Sequence, residues 1–176
     1  MMSRFPLISC RALGGLAALL LMGCSHPSFV LQVPREQVIA MVSKQFPMER
    51  KEGTLAVTLS HPQIHFDGTQ NRIDLKCDLE FTMGDLPSGS GGVSIEGTLA
   101  VGDEAILLRE VQVREVTLDG TLGDNAEVMK RFVSQSLLES LDGMVVYSLG
   151  KEAASRYVAG ITVTDDGIEI RLEASP

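Results

Sequence analysis

Positive charge is scarce in this sequence. Its 176 residues include 15 lysines and arginines against 23 aspartates and glutamates, which gives a formal net charge of −8. Residues 1–23 contain two of the arginines and none of the acids, so beyond them the 15 basic residues fall to 13 and the net charge is −10. An acidic surface repels phosphate backbones, which removes the electrostatic attraction behind most nucleic-acid binding. Nucleic acid is therefore not an expected partner.

Long apolar runs are absent too. The main one extends from Leu13 to Met22 and is interrupted by Gly23 and Cys24. A membrane span needs about 20 apolar residues to cross roughly 30 Å of hydrocarbon, and this run has about half that length. Arginines precede it and small residues follow it, which is the order of an export signal. The sequence therefore predicts a signal peptide over residues 1–23.

The motifs of common enzymes are missing. There is no Gly-x-Ser-x-Gly elbow, no phosphate-binding loop and no paired-cysteine motif. His61, His65 and Asp67 could supply two imidazoles and a carboxylate to zinc, but the strand-like sequence around them does not place both histidines on one helix face. Residues 165–167 are typical of a hairpin turn and lack the six to eight oxygens that calcium takes. We therefore expect no catalytic residue, no metal, no cofactor and no enzyme activity.

The end of the predicted signal resembles the bacterial lipobox. Residues 21–24 read Leu-Met-Gly-Cys, in which Met22 is the imperfect position. In proteins with this motif the cysteine sulfur receives a diacylglyceryl group and the new amino terminus is then acylated, so the resemblance implies that Cys24 becomes the lipidated first residue. The alternative is a plain cleaved signal in which Cys24 is incidental. Each buried methylene contributes about 0.8 kcal/mol, so several acyl chains on Cys24 would hold the protein stably in a membrane.

Cysteine usage agrees with this anchor. Only Cys10, Cys24 and Cys77 occur in the chain. Cys10 leaves with the signal and Cys24 carries lipid, so Cys77 has no partner for an internal disulfide in an oxidising compartment. Cys77 alternates with apolar residues, which predicts a small, buried and inert side chain.

The residue after the lipobox indicates which membrane is involved. Ser25 is not the aspartate that favours inner-membrane retention in such lipoproteins. We therefore expect a lipid-anchored protein on the periplasmic face of the outer membrane. Residues 24–28 are then a lipidated tether, and residues 29–176 form a single domain.

Strand-like alternation dominates the middle of the chain. Apolar side chains recur at every second position with polar ones between them, which predicts antiparallel strands with one solvated face. The apolar positions are Leu55, Val57, Leu59, Ile73, Leu75, Cys77, Leu79, Phe81, Val93, Ile95, Leu99 and Val101. The Gly/Ser-rich segment from Gly84 to Gly92 is predicted to be a loop. Between residues 106 and 118 the apolar residues change twice between even-numbered and odd-numbered positions, which we call parity switches. A bulge at each switch would keep the apolar side chains on one face of a curved sheet.

A first strand is expected at residues 29–33 and a helix between Pro34 and Pro47. The apolar positions of this helix recur at helical spacing: Val38, Met41, Val42 and Phe46. The face that they form either packs on the sheet or binds a partner.

A longer helix follows a cap at Asp124 or Asn125 and ends near Gly143. Its apolar positions are Val128, Met129, Phe132, Val133, Leu137, Leu138 and Leu141. They cover about half of the helix circumference or more, which is wider than a flat contact requires. We therefore expect the sheet to wrap around this helix.

Beyond the long helix the pattern predicts one strand, one short helix and a closing hairpin. Val145 and Tyr147 are strand-like, and Lys151 to Ala159 is the expected short helix. The hairpin joins Ile161 and Val163 to Ile168, Ile170 and Leu172 through a turn at Asp166-Gly167.

Several short segments occur in an order typical of one family. They are the lipobox Cys24, the helix that runs into Phe46-Pro47 with Met48-Glu49-Arg50-Lys51 after it, the strand start Asn71-Arg72-Ile73, the long helix, Tyr147-Ser148-Leu149 and Gly160-Ile161-Thr162-Val163. In this order the chain resembles the YceB-like proteobacterial lipoproteins of unknown function. The resemblance implies an α+β fold, in which a curved antiparallel sheet wraps around one long helix and a shorter N-terminal helix is added. That arrangement is similar to tubular lipid-binding modules. The family lends no catalytic residue.

Two functions of different classes are compatible with these features. The first is binding of a hydrophobic or lipid-like ligand, such as an acyl chain, in a cleft lined by Phe132, Val133, Leu137 and Leu141. The same side chains could instead fill the core and leave no room for a ligand. The second is a tethered interaction or scaffold module without a small-molecule ligand, which would hold an envelope protein through its acidic outer face or the segment from Gly84 to Gly92.

Overall fold

The computed structural model describes residues 28–84, 88–119, 126–149 and 158–173. Within these segments the elements in chain order are β1 (Ser28–Pro34), α1 (Arg35–Ser43), β2 (Met48–Glu52), β3 (Leu55–Asp67), β4 (Arg72–Met83), β5 (Gly89–Val101), β6 (Ala105–Asp119), α2 (Ala126–Leu141), β7 (Val145–Ser148), β8 (Val158–Thr164) and β9 (Gly167–Glu173). Neither helix in these segments is long and apolar enough to cross a membrane.

The strands form two antiparallel sheets. The larger sheet has the order β2-β3-β4-β5-β6-β7, and the smaller has the order β1-β9-β8. Strands β2 to β6 follow one another as a meander, and after α2 the chain returns so that β7 pairs with the first residues of β6. The smaller sheet places the first strand beside the C-terminal hairpin. Buried side chains of both sheets and both helices form a single apolar core.

Helix α1 connects the two sheets. It contacts β1 and β9 of the smaller sheet and β3 and β7 of the larger one. Val38 and Val42, one turn apart, are buried, so the apolar face predicted for this helix packs against the sheets. A second link is made by Asn71, whose Oδ1 accepts a 2.7 Å hydrogen bond from the backbone N–H of Val163.

The predicted wrapping of a sheet around one long helix is wrong. The protein is mostly β: strands hold 64 % of the described residues, and both helices are short. Helix α2 has 16 residues and buries one stripe, namely Met129, Val133, Ser136, Leu137 and Leu141. Val128 is 69 % exposed, and Phe132 and Leu138 are only half-buried. The number of apolar residues therefore overestimated how much of the helix circumference is buried. One face of a sheet is enough to cover a stripe this narrow.

The two bulges predicted in the last long strand of the meander are confirmed. Relative to β5, strand β6 holds one extra residue at Arg114 and another near Glu110, where the register shifts. Glu110 has a φ of 52°, which marks the local bend. The inward side chains of β6 consequently stay on one face: Ile106, Leu108, Val111, Val113, Val116 and Leu118 are all buried or half-buried. Bulges of this kind increase the local twist and curl the sheet.

Four boundaries differ from the sequence predictions. Helix α1 ends at Ser43 and not at Pro47, so Phe46 lies beyond the helix. Part of the segment from Gly84 to Gly92 is strand, because β5 begins at Gly89. The C-terminal hairpin turns at Asp165 and Asp166, and Gly167 already pairs as the first residue of β9. The helix expected from Lys151 to Ala159 lies mostly outside the described residues, and its last two positions begin β8. The strand expected at Val145 and Tyr147 is confirmed as β7.

Glycine is required at position 91 because β5 and β6 approach closely there. A Cβ on Gly91 would overlap the backbone carbonyl oxygen of Thr117. We expect Gly91→Ala to lower the free energy of unfolding by about 1–3 kcal/mol, the usual cost of overpacking. Urea denaturation measures this change. Gly160→Ala is the matched control, because a Cβ on Gly160 meets no atom within 4 Å, and equal losses in both variants would contradict the prediction.

Candidate functional site between strand β2 and helix α2

The four residues predicted to line a ligand cleft lie in two environments. Val133 and Leu141, on the inner side of α2, are fully buried in the core. Leu137 is also buried, but it forms part of the floor of a hollow between α2 and β2. Phe132, on a neighbouring side of the helix, is half-buried and borders a second hollow in the same seam. The structure thus places Leu137 and Phe132 beside two separate hollows of the seam between α2 and β2 and leaves Val133 and Leu141 in the core.

The seam contains a cleft of about 300 Å³, which we name the β2–α2 cleft. It is lined by Met48, Glu49, Arg50, Val57, Leu59, Leu137, Glu139 and Ser140. The side chains of Val57, Leu59 and Leu137 are buried and form an apolar floor, whereas the charged residues stand at the rim. A hollow of about 70 Å³ beside Phe132 continues the seam past Glu139. Ligand pockets are mainly apolar with a few polar groups, and their volumes begin at about 300 Å³. In the β2–α2 cleft four of the eight lining residues are apolar and four are polar or charged.

Strand register explains why β2 side chains reach this cleft. Met48 lies opposite Leu59, and Arg50 lies opposite Val57. Directly paired residues of antiparallel strands point to the same face of a sheet. Met48 and Arg50 therefore share the inner face with the buried Leu59 and Val57, on the side where α2 lies.

Two polar contacts join β2 to α2 across the seam. Arg50 Nη2 lies 3.2 Å from Glu139 Oε2, and Ser136 Oγ donates a 3.5 Å hydrogen bond to Glu52 Oε2. The side chains of Arg50 and Glu139 are 48 % and 59 % exposed, and ion pairs this exposed contribute only about 0–1 kcal/mol. We name this pair the Arg50–Glu139 clasp. Because it is weak, it can open at little cost in free energy.

Sequence reasoning did not identify β2 as a wall of the site. Residues 48–52 read Met-Glu-Arg-Lys-Glu, and all but Met48 are exposed. Such a segment has no apolar alternation that could mark a strand. Within the described residues β2 pairs only with β3, and its charges protect this edge from pairing with a further strand. The one signal in the sequence that could have indicated β2 is the alternation of apolar residues in β3, the strand with which β2 pairs.

A second polar cluster lies on the outer face of the larger sheet. Glu96 Oε2 is 2.9 Å from Arg72 Nη1 and 2.6 Å from Arg114 Nη2. The Glu96 side chain is buried, and Arg72 also lies 3.8 Å from Asp67. These four side chains come from β3, β4, β5 and β6, and their two positive charges balance the two negative ones. The cluster connects four neighbouring strands, and we assign it a structural role.

The two histidines considered for zinc occupy separate positions on the outer face. A bulge in β3 contains His61 and Pro62; Pro62 fits there because a bulge interrupts the ladder that would need its missing N–H. His61 Nδ1 lies 3.0 Å from Asp78 Oδ2, and both side chains are mostly exposed. His65 lies opposite Asp74 in register. Across the described residues there is no group of three His, Cys, Asp or Glu side chains placed to hold a metal.

Cys77 is buried in β4, as predicted. Burial, and to a lesser degree the neighbouring Asp78 carboxylate, raises the pKa of its thiol from 9.0 to about 12. The thiolate is the nucleophilic form of cysteine. Cys77 therefore stays protonated at neutral pH, which disfavours reaction as a nucleophile.

The raised pKa of Cys77 predicts a slow thiol reaction. In a chain that starts at Ser25, Cys77 is the only cysteine. We expect Ellman's reagent at pH 8 to modify it at least about 100-fold more slowly in the folded protein than in guanidinium chloride, because folding removes both access and thiolate. Similar rates in both conditions would contradict the burial of this side chain. Since the unfolded chain ionises this thiol near pH 9.0 and the folded chain near pH 12, its contribution to stability is lost as the pH rises through that window.

Cys24 and the predicted signal peptide lie outside the described residues. Neither a protein-family model nor a curated protein matches the chain. The resemblance to YceB-like lipoproteins and the lipidation of Cys24 accordingly remain predictions from the sequence.

Proposed function

We propose that this chain is an envelope lipoprotein that binds a hydrophobic ligand with an anionic end, such as an acyl chain, in the β2–α2 cleft. The observation that carries the proposal is an apolar floor beneath an exposed, weak ion pair. The floor residues Val57, Leu59 and Leu137 belong to the packed core, so they do not need to rearrange for a ligand to lie on them. Of the two polar contacts across the seam, the Arg50–Glu139 clasp is the one whose residues both line the cleft.

The clasp also supplies a chemical reason for the anionic end. Among the described residues that line the cleft, Arg50 is the only basic one. When the clasp opens, its guanidinium can pair with a carboxylate or phosphate of the ligand in place of Glu139, and arginine binds both groups in a bidentate manner. The hydrocarbon would then lie over the apolar floor, and the charged end would stay at the solvent-facing rim.

The second function, a tethered interaction module, receives less support. One of its two surfaces was the loop from Gly84 to Gly92, of which Gly89 to Gly92 belong to strand β5. The exposed edge strand β2 would be another docking place, but its charged sequence disfavours the addition of a strand. The other surface considered for the interaction module is the acidic outer face. The β2–α2 cleft is thus the more specific candidate.

For location, we propose attachment through acyl chains on Cys24 at the periplasmic face of the outer membrane. In the bacterium that produces the protein, Cys24→Ser should move the protein from the membrane fraction to the soluble fraction and remove the added mass of the lipid. Immunoblots of the two fractions and mass spectrometry of the intact protein measure these changes. Ser25→Ala is the control. A Cys24→Ser protein that still fractionates with membranes would refute the anchor.

Ligand binding can be tested by filling the cleft from the helix side. Ser140 lines the cleft and is only half-buried, so Ser140→Trp should place an indole in the space that the ligand needs. We expect this variant to bind 11-(dansylamino)undecanoic acid at least about 10-fold more weakly than the unchanged protein, since a filled pocket excludes the chain. The fluorescence of the dansyl group measures binding.

Two further variants make the result interpretable. Val128→Trp adds the same indole at an exposed position of the same helix and should bind the probe like the unchanged protein. Arg50→Ala removes the basic group and should weaken binding of the fatty acid more than binding of its methyl ester. Circular dichroism checks that each variant is folded. Equal binding by Ser140→Trp and Val128→Trp would rule out the β2–α2 cleft as the site.

A further inference from the structure

Exposed apolar side chains are concentrated at the start of β1. Among the described residues, four large hydrophobic side chains are exposed: Phe29, Val30, Val101 and Val128. Phe29 and Val30 are consecutive, with 65 % and 57 % of their surface exposed. Single exposed hydrophobic residues are ordinary. Two adjacent ones at the end of a strand form a local patch.

The patch extends an apolar row of the smaller sheet. Phe29 lies opposite Leu172 of β9, which in turn lies opposite Val158 of β8. Leu172 and Val158 pack against the core. Phe29 shares its face of β1 with Leu31 and Val33, and burial decreases from Val33 to Leu31 to Phe29. The row therefore leaves the core at Phe29, in the direction of Cys24 along the chain.

Val30 makes the end of β1 apolar on its second face. Successive residues of a strand point to opposite faces, so Val30 lies on the side away from Phe29. Its neighbour in register is Arg171, and Ser28 lies opposite Glu173. On this face of β9, Arg171 lies between Glu169 and Glu173, so the charged side chains beside Val30 add no positive charge overall.

Chain length limits how far this patch can lie from the lipid anchor. Phe29 is five residues beyond Cys24, and an extended chain spans at most about 3.6 Å per residue, or about 18 Å in all. If Cys24 carries acyl chains, its backbone lies at the bilayer surface. Phe29 and Val30 are then the first described apolar side chains that can touch that surface. The net charge of −10 beyond residue 23 offers no attraction to anionic lipids, so the apolar patch is the feature that can set the orientation.

We propose that Phe29 and Val30 dock in the interfacial region of the bilayer that holds Cys24, so that this end of the smaller sheet rests against the membrane. Aromatic and aliphatic side chains beside a lipid anchor favour this region, where apolar groups leave water while the strand backbone remains hydrated. The inference rests on the proposed lipid anchor. It adds a defined orientation of the domain, which the anchor alone does not provide.

The sequence contains no tryptophan, so one introduced indole reports on a single position. The full chain with Phe29→Trp is expressed in its bacterium, purified with its lipid and reconstituted into phosphatidylethanolamine/phosphatidylglycerol vesicles with or without brominated acyl chains. Bromine quenches an indole only at close range. We expect brominated lipid to lower the emission of the introduced indole at least about two-fold, because the side chain lies in the interface. Val30→Trp gives a second reporter on the other face of the strand and covers the case in which Phe29→Trp does not fold.

Val128→Trp is the matched control, because Val128 is as exposed as Phe29 but lies on helix α2. Its emission should not change with brominated lipid. Quenching of the β1 reporters alone supports the docked orientation. Unquenched β1 reporters, or equal quenching at all three positions, would overturn it while leaving the anchor intact, provided that mass spectrometry finds the acyl chains. Absence of acyl mass on Cys24 would refute the anchor, and the docking inference with it.

Discussion

The curl of the larger sheet is the constraint on which the rest of the structure depends. Two bulges allow the 15-residue strand β6 to keep its inward side chains on one face. Without them, Val111 and Val113 would turn to solvent, because a slip of one residue reverses every side chain. Helix α2 packs on β6, yet its side chains also meet those of β2, four strands away in the sheet. The sheet curls, and the same helix contacts both strands.

The candidate site is a consequence of that geometry. Its floor belongs to the core, where close packing makes side chains resistant to movement. Its rim is formed by an exposed edge strand and the polar side of a helix, which are joined by contacts of small energy. A rigid apolar floor under a weak polar cover suits reversible binding of an amphipathic molecule. The Glu96 cluster on the outer face has the opposite character, since its buried carboxylate is held by two arginines and connects four strands.

Much of the fold could be predicted from local patterns. The alternation around Cys77, the two parity switches in β6, the packing face of α1 and the C-terminal hairpin all follow from side-chain periodicity, and the structure confirms them. The prediction of a wrapped helix failed because the apolar residues of α2 are not equally buried; Val128 is solvent-exposed, which no count of residue types can show. Gly89 and Gly91 were read as a loop, but they serve close contacts with Phe81 and Thr117 that depend on strand pairing.

By itself, the sequence determined most of the strands that have one buried face, where β6 must bulge, and that Cys77 is a buried core residue, because periodicity and residue chemistry are local properties. It also identified one side of the site, the face of α2 that carries Leu137. Only the tertiary structure decided that the other side is β2, a strand whose sequence is almost entirely charged. Its role depends on pairing with β3 and on the distance from Arg50 to a helix residue 89 positions further along the chain, and such long-range proximity leaves no periodic trace in the sequence.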